Sequence, residues 1–409
     1  MTRAQAGSGS AVDLRLSPRA IRRLAGGAVL AALAGHAVVR AVWPAAHTLL
    51  IDLQVYRAGA QAWLAGRPLY RGGVLLDLPF VYPPFAAVVF GPLTLLPLDV
   101  LKLVWTMTSL GLLGYVGYRC LRSLGVPPGP PIGWAVAGLV GLASWLDPVR
   151  TTLYLGQINI GVLALVLADG LGRPASRWRG VGIGLAAAVK LTPLLFVGYL
   201  LVTRRWRAAA SALGTFGLAG AVGWLLDPAD SRAYWLDGTF AAAGRISDVA
   251  ATTNHSLNGL LNRAWGEAGP ARIGYLIGAA VLVTMTLVVA GCWHRRGAEL
   301  AALTLIGLGS AAVSPFAWSH HWVWFVPLIA LLGHRAALAG DRPAGLLLAA
   351  VRTGTCAVIT ALPGPGVGPI PRTGLISLAP DSYLALFLLV LAAATADVIR
   401  TGRHRSEFG

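Results

Sequence analysis

Apolar runs recur along the whole chain, broken by short polar stretches rich in Arg, Gly and Pro. They fall near 22–45, 83–97, 99–120, 133–147, 158–172, 180–203, 207–226, 272–294, 299–314, 320–338, 343–361 and 381–400. Many approach the ~20 residues that an α-helix needs to cross a bilayer. Two longer polar stretches, 46–81 and 227–271, interrupt the series. The pattern predicts an all-α polytopic membrane protein. One transmembrane domain occupies 22–400, between cytoplasmic tails 1–21 and 401–409, with 46–81 and 227–271 as its two large extracytoplasmic loops.

Composition closes off other classes. The 409 residues are 56% hydrophobic and 12% charged, with a mean hydropathy of +0.68. Soluble domains carry about 25% charged residues. Basic residues number 33 against 16 acidic ones, a net charge of +17, and Lys102 and Lys190 are the sole lysines. So basic a chain invites a nucleic-acid reading, but the arginines cluster between apolar runs, as in membrane loops that obey the positive-inside bias. Cys120, Cys292 and Cys356 show no CxxC or CxxH spacing, which argues against a zinc site or a disulfide framework. The first apolar run exceeds a signal-peptide core, so the N-terminus is expected to be an anchor and not a cleaved leader.

The arginine clusters all fall on the cytoplasmic side if two segments fail to cross. Segment 180–203 has arginines at both ends and Lys190-Leu191-Thr192-Pro193 in its middle, which suits a re-entrant hairpin broken at Pro193. Segment 83–97 is short and interrupted by Pro83, Pro84, Gly91 and Pro92. The alternative is twelve plain spans with two loops that break the charge bias. In the re-entrant topology the polar motifs gather on the face opposite the arginines, at the extracytoplasmic boundary.

Three features there carry candidate chemistry. Asp52 opens an amphipathic stretch whose Leu53, Tyr56, Ala60, Trp63 and Leu64 share one helical face. It reads as an interfacial helix lying on the membrane, with Asp52 as its N-cap or as a reactive carboxylate. Lys190 interrupts an apolar segment and is either a functional cation or a lysine snorkelling to the surface; Lys102, placed near the cytoplasmic boundary, fits the second role. His320 and His321 are adjacent, so at most one of them is expected to point into a given cavity. Proton transfer or hydrogen bonding, metal ligation with His255, and plain packing all remain open for them. Among the other carboxylates, Asp147, Asp227 and Asp381 read as turn or cap residues. No P-loop and no Asp-x-Asp is present, so nucleotide-driven chemistry is not expected.

As an ordered set, several motifs resemble the GT-C integral-membrane glycosyltransferases. Within these they are similar to the polyprenyl-phosphate-mannose-dependent α-(1→2)-mannosyltransferases of the actinobacterial envelope. They are Asp52-Leu53-Gln54-Val55-Tyr56, Gly66-Arg67-Pro68-Leu69-Tyr70, Tyr82-Pro83-Pro84-Phe85, Gly156-Gln157-Ile158-Asn159, Lys190-Leu191-Thr192-Pro193, Asn254-His255-Ser256-Leu257-Asn258 and Ser314-Pro315 through His320-His321. The resemblance spans about residues 45 to 335. It implies eleven to thirteen membrane helices, some short or re-entrant, and an inverting transfer of mannose from polyprenyl-phosphate mannose to a mannosylated lipid or lipoglycan. It implies Asp52 as general base, assisted by His321 or His320.

A polyprenyl phosphate is a good leaving group in itself, so no metal or other cofactor is expected. Lys190, with Arg57 or Arg263, would hold the donor phosphate. Tyr56, Tyr82, Trp318 and Trp322 would stack on sugars, although aromatic belts at membrane interfaces supply the same residues. Gln157, Asn159, Asn254, His255 and Asn258 would complete the substrate site. The expected setting is the plasma membrane with the site facing outward; the expected partners are the two lipid substrates and the bilayer, not nucleic acid. An arabinofuranosyltransferase with a polyprenyl-phosphate pentose, a lipid-linked-sugar transporter and a structural subunit are the alternatives.

Overall fold

Five helices are long and apolar enough to cross a bilayer: α1 (Pro18–Val42), α4 (Leu98–Ser123), α10 (Trp206–Leu226), α13 (Gly269–Arg295) and α17 (Ser382–Ser406). The computed structural model describes residues 17–42, 49–245, 247–266, 269–338, 340–357 and 381–406. Most of the expected N-terminal tail, Asp13, Glu267, the end of segment 343–361 and residues 407–409 lie outside these. Between the long helices run α2 (Ile51–Leu64), α3 (Pro84–Phe90), α5 (Pro130–Ala143), α6 (Asp147–Leu155), α7 (Asn159–Gly170), α8 (Val181–Val189) and α9 (Leu194–Val202). The series continues with α11 (Pro228–Trp235), α12 (Leu257–Trp265), α14 (Glu299–Ala312), α15 (Phe325–Leu338) and α16 (Arg342–Ala357). No strand is formed among the described residues, apart from one isolated bridge between Leu75 and Leu78.

Burial sorts these helices into two kinds. Leu30 on α1, Leu218 on α10 and Ile277 on α13 are more than 60% exposed, which leaves these spans an apolar face for lipid. Twelve of the fourteen residues of α14 are buried, as expected of a helix that is apolar all round. α14 forms the centre, with α7, α9, α13, α15 and α17 packed around it.

Segment 180–203 is a hairpin. Arg179, before α8, and Arg205, after α9, both reach Glu299, so the two ends of the segment lie together. α8 ends at Lys190, whose backbone is extended (φ −149°, ψ 125°), and Pro193 starts α9. Each arm has nine residues, about 14 Å at 1.5 Å per residue, roughly half of a hydrocarbon layer. Segment 83–97 also fails to cross: α3 continues into a 3₁₀ turn, Gly91–Leu95, that packs on α2.

Segment 133–147 ends in a sharp turn, where α5 and α6 meet at an angle of 82°. Two sequence expectations need correction here. Asp147 is more than a cap: its carboxylate accepts from Arg150 at 2.7 Å and from the Tyr383 hydroxyl at 2.7 Å, which ties α6 to α17. Lys102 lies near the start of α4, whereas Arg119 and Arg122 lie at its other end; it is not grouped with the arginines.

Candidate active site

A cavity of about 570 Å³ opens where α2, the α6–α7 turn, the hairpin tip and the Ser314–His321 loop converge. Asp52, Gln157, Lys190, His320 and His321 all line it. The α6–α7 turn reaches α2 because residue 156 is glycine. Gly156 has φ +70°, and a Cβ there would stand 2.8 Å from the Cβ of Leu53. Glycine alone meets both conditions without strain, and this close approach brings Gln157 to Asp52.

Two side-chain amides then join the carboxylate to the lysine. Gln157 Nε2 donates to Asp52 Oδ2 at 2.5 Å. Its Oε1 accepts from the Tyr56 hydroxyl at 2.8 Å and from the Tyr82 hydroxyl at 3.2 Å. Asn159 Nδ2 lies 3.5 Å from the same oxygen and donates to the His320 carbonyl at 2.9 Å, while its Oδ1 accepts from Lys190 Nζ at 2.8 Å. The ammonium of Lys190 also lies 5.7 Å from the centre of the Tyr82 ring, within cation–π range. A carboxylate can only accept and an ammonium can only donate, so these two ends fix both amide orientations.

Asp52 is the second residue of α2 and does not cap it. The N-cap is Leu50 (φ 42°), and it makes no side-chain capping bond. Burial pushes the Asp52 carboxyl up to about 6, against the lowering effects of the Gln157 amide and the Lys190 ammonium. A carboxylate poised there suits proton abstraction near neutral pH. The apolar face of α2 is set in protein, not lipid. Leu53, Tyr56 and Ala60 are buried beneath Phe80, Tyr82 and Phe90, although Leu64 is exposed.

Both histidines face the cavity, contrary to the expectation that at most one would. They sit on a 3₁₀ turn, Ser319–Trp322, and not on an α-helix. Both ring nitrogens of His320, and Nδ1 of His321, are buried without a hydrogen-bond partner among the described residues. Such atoms are rare in folded proteins and stand ready for the hydroxyls of a ligand. Trp318 stacks on His320 at the same wall.

Other expected site residues lie elsewhere. Arg263 is paired with Asp381 and donates to the carbonyls of Ala251 and Asn254, so it is committed to structure, and Asp381 is no mere turn residue. Arg57 donates to the Leu96 carbonyl at 3.2 Å and does not line the cavity. Asn254 accepts from Ser256 and from the Ala317 amide and donates to Val249; Asn258 donates to the Pro315 carbonyl. The His255 amide donates to the Ala317 carbonyl. These three residues brace the Ser314–Trp318 wall from behind. Trp322 is fully buried against Phe325 and Tyr383 and cannot stack on a ligand.

Asp230 is a structural group that the sequence did not single out. It accepts from the Leu69 amide at 2.8 Å and staples the 46–81 loop to α11. The same loop is held by the Tyr70 hydroxyl on the Tyr82 carbonyl at 2.6 Å. Asp227, three residues earlier, caps α11 as expected, and that short helix was the available signal. Among the described residues no group of three or more His, Cys, Asp or Glu side chains is placed to hold a metal.

Comparison with known proteins supplies relatives of named activity. The family model described as Glycosyltransferase family 87 matches residues 80–315. The chain is 35% identical over 299 residues to a polyprenol-phosphate-mannose-dependent alpha-(1-2)-phosphatidylinositol mannoside mannosyltransferase of Mycobacterium tuberculosis, covering 69% of this chain and 70% of that one. It is 34% identical over 310 residues to the corresponding phosphatidylinositol pentamannoside mannosyltransferase of Mycolicibacterium smegmatis, covering 72% of each. A weaker match, 29% over 251 residues, is to an alpha-(1->3)-arabinofuranosyltransferase of Corynebacterium glutamicum, covering 57% and 56%. No solved structure matches the chain at a significant level.

Proposed function

Because the chain belongs to glycosyltransferase family 87 and is a multi-pass membrane glycosyltransferase, we propose that it transfers mannose from polyprenyl-phosphate mannose to a hydroxyl of a mannosylated phosphatidylinositol or lipoglycan. The names of its mycobacterial relatives support that donor and acceptor. The observation that carries the mechanism is that Asp52 and Lys190 line one cavity and are joined through Gln157 and the buried Asn159. Asp52 takes the proton from the acceptor hydroxyl as its oxygen attacks the anomeric carbon. The bond to the phosphate oxygen breaks with its electron pair, and Lys190 receives the growing negative charge. Attack opposite the departing phosphate inverts the anomeric centre, from a β-linked donor to an α-(1→2) product. His320 and His321 hold sugar hydroxyls, and no metal is required. The arginine end of the molecule lies in the cytoplasm, and the cavity opens to the outside of the plasma membrane.

The deciding assay is transfer by purified enzyme from labelled polyprenyl-phosphate mannose to a phosphatidylinositol mannoside. Asp52→Asn keeps the shape of the side chain but cannot take the proton, so transfer is expected to fall about 10²–10⁴-fold while donor binding persists. Near-normal transfer would move the base to another residue. Lys190→Ala is expected to raise the donor KM, and Lys190→Arg to restore part of it, since the two head groups differ in shape. The corynebacterial relative favours a second reading, with a polyprenyl-phosphate arabinofuranose donor. Supplying that donor in the same assay separates the two.

A further inference from the structure

A second cavity, of about 700 Å³, lies at the opposite ends of α7, α8, α9 and α14 from the first. Arg177, Arg179, Arg204, Arg205 and Arg207 line it, against one carboxylate, Glu299. That carboxylate is already engaged: Arg205 donates to its two oxygens at 2.7 and 2.5 Å, and His294 Nδ1 lies 2.7 Å from Oε2. Arg177, Arg204 and Arg207 make no ion pair among the described residues.

Arg179 is committed to the fold, because its terminal nitrogens donate to the Gly172 and Gly170 carbonyls at 2.9 and 2.8 Å, which leaves Arg177, Arg204 and Arg207 for a ligand. Two details go beyond a bias in loop charge. Arg204 adopts a left-handed backbone, φ 57°, in the turn that closes α9, where glycine is the unstrained choice. The amides of Trp206, Arg207 and Ala208, on the cavity wall, precede the first bonded amide of α10, that of Ala209, and no side chain caps them. Guanidinium groups over a free helix N-terminus form a phosphate-binding arrangement. Trp206, 61% exposed, stands on the cavity wall, and Trp178, 64% exposed, lies under the Arg177 guanidinium at 5.2 Å; exposed indoles of this kind collect at membrane interfaces.

We propose that this cavity binds the phosphate-bearing headgroup of an anionic membrane lipid, at the end of the molecule away from the sugar-transfer cavity. The inference does not depend on which sugar or acceptor the enzyme uses.

Native mass spectrometry of the full chain, released from micelles containing dioleoylphosphatidate or dioleoylphosphatidylcholine, tests it. The phosphatidate is expected to be retained preferentially. Arg204→Gly and Arg207→Gln should each weaken retention about fivefold, the typical contribution of one arginine at an anionic surface. Arg204→Gly is the informative variant, because it removes the charge and relieves the backbone. Its melting temperature should equal or exceed that of the parent while lipid is lost, so misfolding cannot mimic the result. Millimolar inorganic phosphate should not displace the lipid. Displacement by phosphate would assign the cavity to a soluble anion and overturn the lipid assignment. Equal retention of the phosphatidylcholine, or undiminished retention by both variants, would overturn it as well.

Discussion

Gln157 does two things with one amide: its N–H₂ group holds the Asp52 carboxylate, and its oxygen collects the hydroxyls of Tyr56 and Tyr82. The first contact stabilises the ionised form of Asp52 and therefore lowers its pKa, which burial has raised to about 6. A base must be deprotonated to act, so kcat/KM should be flat above pH ~7 and fall about tenfold per unit below pH ~6. Gln157→Leu removes the lowering contact. The acid limb should then move toward neutral pH, read from a full pH–rate profile; a profile unchanged from the parent would detach Gln157 from the base. The sequence displayed Asp52, Gln157, Asn159 and Lys190 as isolated polar residues in apolar surroundings. It misassigned Arg263 and Arg57, because nothing in a linear pattern reveals that Asp381, distant in the chain, already neutralises one and that the Leu96 carbonyl occupies the other.

At the level of elements, the hairpin was legible because arginines at both ends and a proline in the middle leave a helix no way across. The break between α5 and α6 was signalled by Asp147-Pro148, but nothing in the pattern sets its angle of 82°. The burial of α2 was not legible either. An apolar stripe facing protein and one facing lipid have the same composition, because lipid tails are as apolar as leucine. The delivery of Gln157 by the α6–α7 turn yields a sharp expectation. Gly156→Ala incurs about 1–2 kcal/mol for the left-handed backbone and drives a methyl group into Leu53. The variant should melt lower and lose transfer out of proportion to its stability. Transfer that tracked stability alone would show that Gln157 need not be held so closely.

For the whole molecule, the two cavities mark opposite ends of the same short helices, and the proposed topology turns them toward opposite compartments. A single-cysteine series on a background lacking Cys120, Cys292 and Cys356 checks this. Arg71→Cys, exposed in the loop beside the first cavity, should react with an impermeant maleimide in intact cells. Arg177→Cys should react only after permeabilisation. Labelling of both positions in intact cells would contradict the arrangement.

The short arms of the hairpin have a mechanical corollary. With nine residues in each of α8 and α9 and twelve in α7, the lysine tip stands about 14–18 Å from the arginine face, well short of a ~30 Å hydrocarbon slab. Under the proposed function, a carrier lipid's phosphate has to dip below the outer headgroup plane to meet Lys190, by a depth that depends on membrane thickness. Reconstituted in phosphatidylcholines of increasing acyl length, the enzyme should slow as the slab thickens, through a rising donor KM with little change in kcat. The lipid bed would then act as a gauge of how readily the donor reaches its cation.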